Sequence, residues 1–332
     1  MTAAELPTWA GDFRAAVDEA GDRVEAGLNI ARDYGRLLPL PGCGATAERW
    51  QLLALAAEVD LSAARILEAH SDALAILGEA GEAPPGGTWG VFAAESCEAR
   101  LDAYDDGAAT VLVGTKPWCS LAGSLDHALV TARAGSGRGL YAVDLRHSSV
   151  TADSPATWVA RGLANITSAP VEFDSTPARA VGAEGWYLRR PGFAWGGIGV
   201  AACWYGGALG LFRTLREFSA KRDGELNRLH VGTVDAALHG AAAALGEAAA
   251  LVDSGHAAGA AGEILALRVR AVVADAVERT LRQVGHALGP GPLAFDERHA
   301  RRAADLELYV RQHHAERDLA ALGAALGERD GS

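Results

Sequence analysis

VGTKPWCSLAGSLDHALVTAR, residues 113–133, joins the ends of two extended runs, ATVLVG (109–114) and HALVTA (127–132), through a turn rich in Ser, Gly and Asp. β-Branched residues crowd both runs, as they do in GLYAVDL (139–145) and PVEFD (170–174). Such side chains suit a pleated, half-buried surface, and Gly, Asp and Ser clusters between short runs mark turns. The region from Trp89 to Arg190 therefore reads as a small antiparallel β-domain. GSGRG (135–139) lacks the spacing of a dinucleotide loop and reads as a hairpin cap.

On either side the periodicity changes to that of helices. Leu52, Leu55, Ala56, Val59, Ala63, Ile66, Leu67 and Leu74 recur at helical spacing within residues 12–80, with Asp60 as a local cap or bend. Ala83-Pro-Pro-Gly-Gly-Thr then breaks the pattern. After Pro191-Gly192 helices are expected near 196–221, 225–253, 260–287 and 296–326, with GPGPL (289–293) as a sharp break. The expected fold class is α+β: an N-terminal helical domain (1–86), a middle antiparallel β-domain (87–190) and a C-terminal four-helix bundle (191–332). Phe193 to Phe212 carries no charge and approaches the length of a membrane span. Its many glycines favour the central helix of a soluble bundle instead.

Composition narrows the partners. With a net charge of -12, the chain is poorly suited to nucleic acid and to anionic membrane surfaces. Cys43, Cys97, Cys119 and Cys203 lie far apart, which fits free thiols in a reducing, cytoplasmic setting. The acidic N-terminus does not resemble a secretion signal. There is no G-x-S-x-G elbow and no P-loop. No metal site is expected, and His230 and His239 read as structural.

Four segments, in order, resemble the acyl-CoA dehydrogenase family. VGTKPWCSLAGSLDHALVTAR is similar to the family's G-x-K-x-W-I-T-N segment and the strand beyond it. The resemblance places Trp118 and Ser120 beside a flavin ring. An indole covers an apolar ring face, and a hydroxyl bonds its polar edge. GLANITSAPVEFD (162–174) is similar to the segment that closes the family's β-domain. GALGLF (207–212) matches a small-residue pattern in the first bundle helix. VGHALGPGPLAFDERHARRAADLELY (284–309) is similar to a run whose glutamine and glycine-rich turn approach the FAD diphosphate of a neighbouring subunit. Here His286, Gly289 and Gly291 stand at those positions, and Pro290 and Pro292 remove two backbone donors. The resemblance thus implies FAD, a small-molecule acyl substrate, and a homodimer or homotetramer.

The departures bear on the chemistry. In the family a glutamate removes the substrate's α-proton; counted from Asp305, its place here falls on His313, within YVRQHHAERD (309–318). A minority subgroup draws that glutamate from the first bundle helix, where this chain has Gly199-Val200-Ala201. The T-E-P-x-x-G-S-D segment survives only as FAAESCEARL (92–101), with Glu95 retained as a candidate cofactor contact. On a continuous helix His314 and Asp318 would share a face, as would Arg311 and His314. An imidazole with a carboxylate beside it can serve as acid or base near neutral pH, which makes His313 and His314 the catalytic candidates. A solvated polar helix end is the competing reading. HHAERD is also similar to the H-H-x-x-x-D-G of condensation domains, without its glycine. The leading expectation is α,β-dehydrogenation of an acyl thioester or related activated acid, with His313 as base. The alternatives are a flavin monooxygenase, which needs no carboxylate base, and a non-catalytic binding or structural subunit.

Overall fold

The structure is a computed structural model that describes residues 6–105, 109–135, 137–152 and 158–330. It begins with four helices, α1 (Ala10–Ala20), α2 (Val24–Tyr34), α3 (Thr46–Val59) and α4 (Leu61–Glu79). Asp60 separates α3 from α4 as the sequence suggests. Its backbone is extended, and one carboxylate oxygen accepts from Ser62 N and Ala63 N at 2.9 and 3.1 Å. An acid at this position satisfies amides that the first turn leaves without partners.

Among the described residues seven strands follow: β1 (Trp89–Phe92), β2 (Leu101–Asp105), β3 (Thr110–Ser120), β4 (His127–Ala134), β5 (Gly137–Asp144), β6 (Val150–Ala152) and β7 (Ser168–Ala180). β4 pairs with β5, β5 with β7, β7 with β3 and β3 with β2, all antiparallel. β2 meets β4 again at Asp102↔Arg133, so the path closes on itself. The expected antiparallel domain needs correction at two pairings, because the β2–β4 contact is parallel and so is that of β1. β1 joins β4 in parallel, Trp89 opposite His127, because it arrives from α4 through the Pro-Pro-Gly-Gly linker rather than a hairpin.

The second helical part contains α5 (Trp186–Arg189), α6 (Pro191–Lys221), α7 (Glu225–Asp253), α8 (Gly259–Leu288), α9 (Pro290–Phe295), α10 (Glu297–Tyr309) and α11 (Glu316–Asp330). α6 lies at the centre, against α3, α4, α7, α8 and α10. Among the described residues it alone has the length and apolarity to cross a membrane, and 67% of that apolar window is buried inside the protein. Its glycines explain how. A Cβ on Gly206 would collide with the Ala54 carbonyl, and one on Gly210 would sit 2.6 Å from Arg302 Nε. Close backbone approach leaves no room for side chains there. The helix expected over 296–326 is interrupted: after Tyr309 the chain makes a 3₁₀ turn, His313 is extended, and Ala315 has φ +46° before α11 begins.

α4 has no free side. One face packs through Ile66 and Leu67 into the main core, and another packs Ala73, Ile76 and Leu77 against Trp89, Leu129, Leu140 and Tyr187. His70 is caught between them; its Nδ1 accepts from Trp89 N at 3.1 Å, and burial lowers its pKa to about 4. A helix enclosed in this way turns its polar residues into interior groups.

Candidate functional site

The site starts from two prolines. Pro117 on β3 and Pro170 on β7 fall where the ladder between Lys116↔Val171 and Cys119↔Ala169 slips by one residue. Neither has an N–H to give, so the strands cannot pair there and one residue of β3 is extruded. That residue is Trp118, held at φ +59° and left 59% exposed, its ring edge-on to Trp158 at 6.4 Å. A left-handed conformation costs a residue with a Cβ about 1–2 kcal/mol, and an exposed indole forgoes burial. Strain of this kind gathers where a surface serves a ligand.

Two residues further on, Ser120 Oγ lies 2.8 Å from Ser168 Oγ, which also reaches the Ile166 carbonyl at 3.2 Å. Ser120 and Arg65 both line a small cavity, of about 20 Å³, closed by Trp89, Phe92, Leu121 and Ile166. Glu95 faces another way. Lys116 Nζ donates to it at 2.7 Å and to Thr131 Oγ1 at 2.8 Å, while Arg138 approaches its other oxygen at 3.5 Å. Burial lowers the pKa of Lys116 against the pull of Glu95. Glu95 thus serves first as the partner of a buried lysine.

From the cavity a polar path leads inward. Arg65 Nη1 pairs with Glu68 Oε2 at 2.8 Å, and Tyr309 Oη donates to the same oxygen at 3.1 Å. Burial raises the Glu68 carboxyl above its ordinary value, opposed by Arg65, and raises the Tyr309 phenol well above its own. The Tyr309 ring meets Trp204 edge-on at 6.4 Å, and Trp204 meets His313 at the same distance. Arg270 lies 4.7 Å above Trp204 and donates to the carbonyls of Gly197 and Gln312 at 2.8 and 2.7 Å, tying the 310–313 turn to α6.

His313 therefore points inward, with its side chain 9% exposed and Nε2 4.0 Å from Asp318 Oδ2. Nε2 and the Trp204 indole N–H are both buried without a hydrogen-bond partner. Desolvation, with Arg270 nearby, lowers the His313 pKa despite Asp318, so the ring is neutral near pH 7. His314 is exposed. Its N–H and Nδ1 meet the two Asp318 oxygens at 3.1 and 3.2 Å, a bond that starts α11 rather than one along a continuous helix face. Arg311 turns instead to Glu278, at 2.8 Å.

His286, Gly289 and Gly291 lie elsewhere, at the corner between α8 and α9. Gly289 has φ +68° and returns its N–H to Gly285. His286 stacks edge-on at 6.4 Å with His230, whose Nδ1 is 2.6 Å from Gln283 Oε1. Neither α8 nor α9 packs extensively on the strands. Ser120 and Arg65 share the cavity beside α4, from which Glu68, Tyr309 and Trp204 lead to His313, while Trp118, two residues before Ser120, turns its ring to Trp158.

No protein-family model and no curated protein matches the sequence. Solved structures do match its shape. Butyryl-CoA dehydrogenase from Megasphaera elsdenii superposes with a TM-score of 0.76 over 98% of this chain and 100% of its own, at 15% identity. This chain has the acyl-CoA dehydrogenase fold. KijD3, solved with FMN and dTDP-3-amino-2,3,6-trideoxy-4-keto-3-methyl-D-glucose, gives 0.77 over 97% and 95% at 16% identity. FMN-bound TdsC from Paenibacillus sp. A11-2 gives 0.76 over 95% and 94% at 17%. Within the acyl-CoA dehydrogenase fold, the residues that sequence reading missed are Arg65, Glu68, Trp204, Arg270 and Tyr309. Arg65 and Glu68 are three apart on α4, the spacing of an ordinary surface pair.

Proposed function

We propose that this protein is a flavin-dependent oxidoreductase that seats its cofactor ring on the β3 bulge. The observation that carries the reading is Trp118, a bulky residue strained to φ +59° and turned outward. The indole suits a planar, apolar ring face, and Ser120 beside it suits a polar ring edge. A bound flavin supplies two-electron transfer at its ring. For FAD, His286 and Gly291 would meet the diphosphate; with prolines at 290 and 292, Gly291 is the only residue of that Pro-Gly-Pro start with an N–H. FMN would need nothing from this corner.

The leading reaction is α,β-dehydrogenation of a small activated acid. His313 takes the substrate's proton at Nε2, and Asp318, 4.0 Å away, stabilises the resulting imidazolium. Burial keeps the ring neutral beforehand, as a base must be. The second reading is a monooxygenase. It is favoured by the lack of a carboxylate at His313 and along Gly199–Ala201, and by the likeness to TdsC, a dibenzothiophene monooxygenase. In either case we place the protein in the cytoplasm as a homodimer or homotetramer, and its free cysteines fit a reducing compartment.

The test is the absorption spectrum of the purified protein, before and after acid extraction of the cofactor. A flavin spectrum is expected, and its chromatographic identity separates FAD from FMN. Bleaching by an acyl-CoA without added reductant supports dehydrogenation; oxygen consumption only after a reductase is added supports the monooxygenase. A colourless protein that takes up neither FAD nor FMN would overturn the proposal and return the weight to a binding subunit.

A further inference from the structure

Among the described residues, Arg65 is the one charged side chain on the small cavity that Ser120 lines; Ile66, Val91, Phe92, Leu125 and Ile166 make the rest of its wall apolar. At about 20 Å³ the cavity holds one oxygen-sized group rather than a substrate, since a water needs roughly 10–15 Å³ on the same measure. Its two polar walls differ in kind. Arg65 gives Nη1 to Glu68 Oε2 at 2.8 Å, and its Nε and Nη2 groups make no hydrogen bond among the described residues. Ser168 spends its proton on the Ile166 carbonyl at 3.2 Å, so the 2.8 Å bond between the two serines is donated by Ser120. The Ser120 oxygen therefore offers lone pairs to the cavity, and the guanidinium offers protons. Glu68 backs the guanidinium without reaching the cavity. Tyr309 fixes that carboxylate at 3.1 Å, and its ring lies 5.9 Å from the Arg65 guanidinium carbon. The ion pair thus turns its positive end outward, to the cavity.

We infer that Arg65 is a cofactor contact that favours the reduced flavin, its guanidinium receiving a carbonyl of the ring's imide edge while Ser120 accepts from the N–H beside that carbonyl. The inference rests on the flavin reading above and deepens it. A donor and an acceptor on one cavity match a carbonyl next to an N–H, which is what the pyrimidine part of a flavin presents. Ser120 follows Trp118 by two residues on β3, so an edge that meets Ser120 belongs to a ring lying on the bulge. Reduction places negative charge on this edge, and a guanidinium fixed in an apolar wall acts on that charge more strongly than one in water. Stability gives the pair little reason to exist, because apolar residues of the same volume often serve a core as well as a buried ion pair does.

The test is the two-electron reduction potential of the flavin-loaded chain, titrated with dithionite against a reference dye, with melting temperature recorded on the same samples. No substrate is present, so a charge that served substrate alone would leave the potential where it is. Arg65→Met combined with Glu68→Gln removes the pair without stranding a buried charge. It should lower the potential by about 30 mV or more, a tenfold weaker preference for the reduced ring. Glu68→Gln alone leaves the guanidinium uncompensated and should raise the potential by a similar amount, while Arg65→Lys should stay near the parent. Opposite shifts are the signature, since loosened packing would move both variants the same way. Should the double variant fail to fold, Glu68→Gln decides, and its potential has to rise. Flavin held at the parent's potential, or shifted with one sign in both variants, overturns this role for Arg65 and leaves the flavin reading standing. A chain that takes up neither FAD nor FMN overturns both.

Discussion

Asp305→Asn probes the joint where the β-region meets the second helical part. Asp305 is 2% exposed on α10, and one of its oxygens accepts from Leu163 N at 2.5 Å, from the loop leading into β7. Gly162 beside it lies so close to α10 that a Cβ would collide with the Ala304 carbonyl. Burial raises the Asp305 pKa from 3.8 to about 6, against the Leu163 hydrogen bond and Arg301, with Asp60 and Asp22 pushing the same way as burial. A carboxyl that holds its proton more tightly folded than unfolded takes up protons on folding. Its contribution therefore favours the native state fully below the unfolded pKa and is lost as pH rises to the folded value. A rise from 3.8 to about 6 corresponds to about 3 kcal/mol forfeited at neutral pH. Asparagine keeps an oxygen for Leu163 and carries no charge, and Arg301 retains Asp60 at 2.8 Å. In denaturant titrations, the variant should match the parent near pH 4 and exceed it by about 1–3 kcal/mol at pH 8, most of the difference appearing between pH 4 and 6. A variant weaker than the parent at pH 8, or a difference that does not vary with pH, would refute the reasoning.

The flavin site allows a similar trade. Trp118→Gly should raise the stability of cofactor-free protein by about 1 kcal/mol, by releasing the left-handed strain, and should weaken flavin retention; a glycine variant that keeps its flavin as the parent does would move the ring elsewhere. Gly206→Leu should destabilise by about 1–3 kcal/mol or more through the α3–α6 contact, read as a fall in melting temperature, and a neutral result would mean those helices do not approach as closely as the structure has them. His313→Ala should leave melting temperature and flavin content near the parent values while turnover falls about 10²–10⁴-fold; unchanged turnover would remove the imidazole from the mechanism.

The parts of this fold legible in the sequence were those fixed by near neighbours in the chain. The β-branched runs became β3, β4, β5 and β7, Asp60 capped α4, and the uncharged glycine-rich stretch became the buried α6. The unread parts depend on what lies across from a residue. Pro117 and Pro170 are plain in the chain, but only the β3–β7 register sets them opposite each other and extrudes Trp118. The same holds for the interior of the site. Arg65 and Glu68 are three residues apart, and on an open helix face they would form a solvated pair of small worth. β1 covers one side of α4, and α2, α3, α6 and α10 pack on the others, so the same two residues become a desolvated pair with a phenol on one carboxylate oxygen. A helix carried through His313 would already keep its imidazole on the buried face of Leu306 and Tyr309, seven and four residues earlier. The break at residues 310–315 and the hold of Arg270 on the Gln312 carbonyl fix where along that face the ring stands, edge-on to Trp204, and free His314 from it. The candidate chemistry thus rests on residues whose meaning changes with their surroundings, and those surroundings come from segments more than 200 residues apart, Glu68 and Tyr309 among them.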